Sequence, residues 1–216
     1  MIDISFKKIS KLTSAIFIIW LFHISGIIGI YFGNTSWFIS KSSLNLIISL
    51  GLFIWLFPID SKKKWLFFLL FFLVGMFVEW LGVNYGLLFG DYSYGENLGP
   101  KLDGVPLLIG SYWALLTFVT AQMADKLGLK KWGKIVFGAF LMVTLDFFME
   151  KSAPIFDFWQ FEGHVPIDNY IAWFAIGILL HLVLHKSKIQ GNKAISIHLY
   201  LAQVLFFAIF YCFPIQ

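Results

Sequence analysis

The stretch FFLVGMFVEWLGVNYGLLFG, residues 71–90, is apolar and long enough to cross a bilayer, yet it carries a carboxylate at Glu79. A second stretch of the same kind, IVFGAFLMVTLDFFME at 135–150, carries Asp146 and, one turn later, Glu150. About 20 apolar residues span the hydrocarbon, and a carboxyl group at its centre costs about 2.5–3.5 kcal/mol on insertion scales. Both stretches read as transmembrane helices that retain an acid for a reason.

The rest of the chain agrees. Of 216 residues, 59% are hydrophobic, 20% aromatic and only 13% charged, where soluble domains carry about 25% charge; the mean hydropathy is +0.82. Hydropathy predicts seven spans, at 12–32, 43–58, 65–88, 106–124, 134–150, 169–185 and 195–213. With no linker or low-complexity tract between them, the expected fold is all-α: a single polytopic membrane helix bundle over residues 1–216. The basic N-terminal segment (Lys7, Lys8, Lys11) leads into an apolar run with no small-residue cleavage site, and reads as a retained first helix.

Every basic residue is a lysine, and all but Lys41, Lys101 and Lys151 lie in the N-terminus, 61–64, 125–134 or 186–193. The positive-inside rule then places the N-terminus in the cytoplasm and the C-terminus outside, with the chain in the inner (cytoplasmic) membrane of a cell. Asp3, Asp60 and Asp125 fall on the lysine side; every other acid, from Glu79 to Asp168, lies in the opposite loops or in the two helices leading to them. The basic charge reports topology and carries no sign of nucleic-acid binding. Cys212, the single cysteine, has neither a pairing partner nor a ligand motif beside it.

Residues 65–124 and 134–185 read as a parallel repeat: an acid-bearing helix, an aromatic acidic loop, then a Val-Pro helix entry with a Trp seven residues beyond the proline. The pairs are Pro106 with Trp113 and Pro166 with Trp173. Proline suits a helix start, where its missing N–H is not needed. The two loops, Gly90–Pro100 and Phe156–Gly163, have the composition of a cover over a site on one face of the membrane.

Asp146 and Glu150, at i and i+4, share a helix face. Gly75, Gly82 and Gly86 bracket Glu79 with small positions that admit another helix or a flat ligand. In a low dielectric an unpaired carboxyl stays undissociated, which suits a general acid. His23 is a candidate hydrogen-bond partner of an acid. His181 and His185 have metal-ligand spacing but lie toward the lysine end, away from the acids, and no metal site is expected. A retinal protein would need a mid-membrane lysine in the last span, which has none; no nucleophile elbow, P-loop or dinucleotide fingerprint is present.

Several motifs together carry a resemblance. They are Glu79-Trp-Leu-Gly-Val-Asn-Tyr-Gly-Leu-Leu-Phe-Gly-Asp-Tyr-Ser-Tyr94, Leu98-Gly99, Gly104-Val-Pro-Leu107, Trp113, Asp146, Trp159 and Val165-Pro-Ile-Asp-Asn-Tyr-Ile-Ala-Trp173. Over roughly residues 75–175 the chain resembles the membrane carotenoid hydratases of the bisanhydrobacterioruberin hydratase and gamma-carotene 1'-hydratase type. It departs from their pattern at Tyr85, where the family has Thr, and at Phe147, where it has Pro. The resemblance implies addition of water across the terminal C1=C2 double bond of an acyclic carotenoid end, giving a tertiary alcohol, with no redox cofactor.

The residues fit that chemistry independently: alkene protonation needs an undissociated acid in a dry place, and aromatic faces stabilise the resulting cation. Glu79 or Asp146 would donate the proton, and the other, with Asp91 or Glu150, would activate water. Tyr92, Tyr94, Trp113, Trp159, Asn169, Trp173 and His23 are the expected substrate-binding residues, and the carotenoid, the bilayer and other enzymes of the same pathway are the expected partners. Two rivals stand beside this reading. A carotenoid cyclase would share the protonation step, and a carotenoid-binding or proton-coupled transport protein would use the carboxyls as relay groups.

Overall fold

A computed structural model describes residues 10–215. Lys7, Lys8 and Asp3, which entered the sidedness reading, lie outside the described residues. The helices are α1 (Lys11–Phe32), α2 (Thr35–Ser40), α3 (Ser42–Leu56), α4 (Lys62–Tyr85), α5 (Leu107–Lys126), α6 (Lys131–Glu150), α7 (Ile167–Ser187) and α8 (Lys193–Cys212). Among the described residues, seven helical segments are long and apolar enough to cross a membrane, α2 and α3 together making the second of them. The chain is a multi-pass membrane protein built as a seven-helix bundle.

Local chemistry sets the helix ends. Ser10, Ser61 and Asn192 cap the N-termini of α1, α4 and α8 with side-chain oxygens that accept backbone N–H groups. Pro106 and Pro166 stand at the entries of α5 and α7. The third span was expected to run to residue 88, but α4 stops at Tyr85. Gly86 takes a left-handed conformation (φ 63°) that ends the helix, and the next residues turn back toward the bundle.

α5 is the most enclosed helix and packs against α3, α4, α6, α7 and α8. Its Phe118 sits among Phe53, Phe57 and Phe71, with ring centroids 5.3–6.1 Å away. Lipid is as apolar as these rings, so close packing rather than the hydrophobic effect holds such helices together. At one end of the bundle the lysine-rich segments meet: Lys63 donates to the Ser187 carbonyl, Asn192 N–H to the Phe57 carbonyl, and Lys134 pairs with Asp125 at 2.6 Å.

The opposite end is closed by short strands, which the all-α expectation did not include: β1 (Tyr92–Tyr94), β2 (Lys101–Leu102), β3 (Val105–Pro106) and β4 (Trp159–Phe161). β1 pairs antiparallel with β4, aligning Tyr92 with Phe161 and Tyr94 with Trp159, while β2 and β3 form a tight hairpin. The two loops read from sequence as a cover are therefore one β-ribbon across the bundle mouth. Strand side chains alternate, so Tyr92, Tyr94, Trp159 and Phe161 turn toward the helices while Ser93 and Gln160 are exposed.

The ribbon is anchored. Gly95 and Asn97 N–H groups donate to the Phe158 and Asp157 carbonyls. The Asn97 side-chain amide lies within 2.8–3.0 Å of the Ile39 carbonyl, the Phe156 carbonyl and Ser42 Oγ, tying the lid to the α2–α3 junction. Each such bond is worth about 1 kcal/mol net. Asn97→Leu is expected to raise amide exchange across 91–97 and 157–162 about tenfold in hydrogen-exchange mass spectrometry, leaving α5 protected.

Candidate active site beneath the lid

Glu79 stands midway along a stripe of glycines, at helical spacing from Gly75, Gly82 and Gly86. A Cβ at Gly75 would lie 2.6 Å from Cβ of Trp113, and one at Gly82 2.6 Å from the Tyr92 hydroxyl. The stripe thus admits α5 on one side and the lid phenol on the other: the flat groups it receives are the protein's own. Both reach the carboxyl. Trp113 Nε1 donates to Glu79 Oε1 at 2.8 Å, and the Tyr92 and Tyr94 hydroxyls donate to Oε2 at 2.5 and 2.7 Å. Glu79 is 3% exposed. Burial, and after it the charge of Glu79, push both lid phenols above the ordinary tyrosine range, so they remain donors.

The second acidic group is built differently. Asp146 and Glu150 project from one face of α6 and are 4% and 8% exposed. The amide of Asn169, on the first turn of α7, donates to Asp146 Oδ2 at 2.9 Å and to Glu150 Oε1 at 3.1 Å; Trp159 Nε1 of β4 donates to Glu150 Oε2 at 3.0 Å. Glu150, at the end of α6, is turned inward and held. One turn beyond Asn169, Trp173 stacks flat on Trp113, centroids 3.9 Å apart and planes 12° off parallel. Phe89, from the loop after α4, packs against both indoles.

These side chains enclose one cavity of about 60 Å³ of free interior volume, room for roughly four waters or the tip of an isoprenoid chain. Glu79, Asp146, Glu150, Tyr92, Tyr94, Trp113, Trp159, Asn169 and Trp173 all line it. Two expected residues are elsewhere. Asp91 shares the outward parity of Ser93 and is exposed, contributing only a backbone carbonyl that accepts Glu162 N–H. His23 lies on α1, which packs on α2, α3 and α8; its Nδ1 is hydrogen-bonded to the Ile19 carbonyl and its ring meets Phe206 edge-on, away from the acids.

Tyr112, Gln203, Phe89 and Phe161 line the cavity without having been singled out. An amide in the middle of an apolar helix was the available signal for Gln203. His181 fills a different place, bonded to the Gly177 carbonyl and to Thr120 Oγ1. Among the described residues no group of three His, Cys, Asp or Glu side chains is arranged to hold a metal ion.

The arrangement offers three carboxyl groups in a buried, aromatic chamber: Glu79 among three donors, and the neighbours Asp146 and Glu150 sharing one amide, with Trp159 on Glu150. Residues 41–214 match the family model described as carotenoid biosynthesis protein. Over 137 residues the chain is 25% identical to the bisanhydrobacterioruberin hydratase of Haloarcula japonica, an alignment covering 56% of this chain and 45% of that protein. The chain thus aligns with less than half the length of this curated relative. No solved structure matches.

Removing the shared amide leaves Asp146 without its donor and Glu150 with Trp159 alone, at a cost of about 1–3 kcal/mol. Asn169→Leu is expected to lower the unfolding temperature of the detergent-solubilised protein by several degrees, whereas Asp91→Asn leaves it unchanged; equal effects of the two would contradict the placement of these residues.

Proposed function

The chain belongs to the carotenoid biosynthesis protein family, and from that premise we propose that it is a carotenoid hydratase, adding water to the terminal C1=C2 double bond of an acyclic end group. The observation that carries this reading is the unequal treatment of the two acidic groups in one cavity. Asp146 and Glu150 lie side by side in a buried site, where Asn169 donates to both and Trp159 to Glu150 alone, and two adjacent carboxyls so placed do not both carry charge. Their shared proton is the acid. Glu79 accepts three donors, the surroundings of a carboxylate rather than of a carboxylic acid.

In the reaction, the π electrons of C1=C2 take the proton at C2, leaving a tertiary cation at C1. The stacked indoles of Trp113 and Trp173 and the negative charge of Glu79 stabilise that cation, each aromatic face contributing about 0.5–2 kcal/mol. Water forms the C–O bond at C1 and gives up a proton to Glu79, and transfer of that proton back to the Asp146–Glu150 pair restores the enzyme. The chemistry needs no electron donor or acceptor. The hydratase name of the Haloarcula japonica relative supports the direction of the reaction.

The same reading includes the parallel repeat of 65–124 and 134–185. It is supported by proline entries at α5 and α7, by indoles seven residues on that stack against each other, and by strands after each acid-bearing helix that pair antiparallel. It also includes a cytoplasmic lysine end, an outward-facing lid and residence in the cell's inner membrane, from the positive-inside rule.

The test is turnover of an acyclic-ended carotenoid by the purified protein in lipid nanodiscs and H₂¹⁸O, read by mass spectrometry. A gain of one labelled water per end is expected, with Glu79→Gln and Asp146→Asn each slowing turnover about 10²–10⁴-fold. Full turnover by the double variant would sink the mechanism, and a product of unchanged mass with a ring would identify a cyclase.

A further inference from the structure

The acid chamber, at about 60 Å³, takes only the tip of a carotenoid. The rest of a long, rigid polyene has to leave it somewhere, and the lid closes the end of the bundle. A second cavity of about 230 Å³ lies beside the chamber, between α1, α2, α3 and α8. Leu46, Gln203 and Phe207 line both cavities, so these three side chains alone form the partition. Gln203 is itself buried, with Nε2 directed at the Tyr112 hydroxyl, 3.3 Å away.

The walls of the second cavity are aromatic, with Phe22, Phe38, Phe156, Phe158 and Phe206 among them. His23 forms part of that wall: with Nδ1 committed to its own helix, the ring lies edge-on against Phe206, centroids 5.7 Å apart. The rim is made by Ser25, Trp37, Lys41 and Leu44, which are exposed on the outside of the bundle.

We propose that this lateral vestibule is the polyene-binding compartment, through which an acyclic carotenoid enters from the bilayer and in which its conjugated chain stays while the end group reacts. The proposal rests on the hydratase reading. Three observations point to this occupant: the two cavities adjoin across Leu46, Gln203 and Phe207, the inner one is too small for more than an end, and the outer one has an exposed rim and walls of flat aromatic faces that match a flat conjugated chain. His23 thereby touches the substrate's chain, far from its reacting bond. Phe207 and Leu46 set how deep the end group can go.

The test compares two substrates with the same isolated terminal double bond: an acyclic C40 carotenoid and a C15 isoprenoid, whose short chain reaches little beyond the chamber. Two variants narrow the vestibule. Gly26→Trp adds bulk where a Cβ would meet only the Phe206 ring, at 3.2 Å, and Leu44→Trp adds it at the exposed rim, where the fold is not at stake. In nanodiscs, with thermal unfolding checked for both, kcat/KM for the C40 substrate relative to the C15 substrate is expected to fall at least tenfold in each variant. A wild-type ratio in either folded variant overturns the vestibule proposal, and means that lipid or nothing fills this space. Failure of the wild type to turn over either substrate overturns the hydratase reading, and the vestibule with it.

Discussion

Three hydrogen bonds into one carboxyl group organise the lid end of this protein. Trp113 brings α5 to Glu79, and Tyr92 and Tyr94 bring the ribbon. Each such hydrogen bond contributes about 1 kcal/mol net, so the three together offset much of the insertion cost of the acid and fix the relative position of α4, α5 and the lid. The glycines at 75 and 82 are a consequence, because any larger residue there would displace the indole or the phenol from the carboxyl. Function and architecture thus draw on the same atoms: the group that the lid is built around is the one proposed to face the cation.

The second acid pair completes the chamber from the other side. Asn169 and Trp159 hold Asp146 and Glu150, and the Trp113–Trp173 stack joins the two halves. Glu79 among three donors and Asp146 beside Glu150 give one small space two carboxyl environments, and the proposed acid and base roles follow from that difference. The ribbon contributes to both, Tyr92 and Tyr94 to one acid and Trp159 to the other, so closing the lid and assembling the site are one event.

The helices were legible because hydropathy and length decide them, and Glu79, Asp146 and the seven-residue proline-to-tryptophan spacing drew attention to the right elements. The end of α4 was misread at 88 because Leu87, Leu88 and Phe89 continue the apolar run; the stop comes from the backbone of Gly86, to which hydropathy is blind. The ribbon was missed because its strands are three residues long and lie in separate loops, although Tyr-Ser-Tyr and Trp-Gln-Phe both alternate. Asp91 was expected in the site from its place beside Tyr92, and that adjacency is what excludes it, since neighbours in a strand face opposite ways. His23 was grouped with the acids on polarity alone, whereas the packing of α1 carries it to α8. Gln203 carries no neighbouring motif in the sequence, since it lies in the last span, far along the chain from the acid-bearing helices and their loops.

The pairing of β1 with β4 limits how this sequence can drift. A strand pair has a period of two, so inserting or deleting one residue in either strand would turn Tyr92 and Tyr94, or Trp159 and Phe161, out toward the membrane surface and bring Ser93 or Gln160 in. Both acids would lose lid donors in one step. Beyond the Gly95–Asn97 anchor and Glu162, the segments at 98–100 and 163–165 can lengthen without that change of parity. Across descendants of this chain, length variation should therefore gather on either side of the two triplets and spare the triplets themselves, which makes the ribbon a punctuation mark in an otherwise tolerant loop.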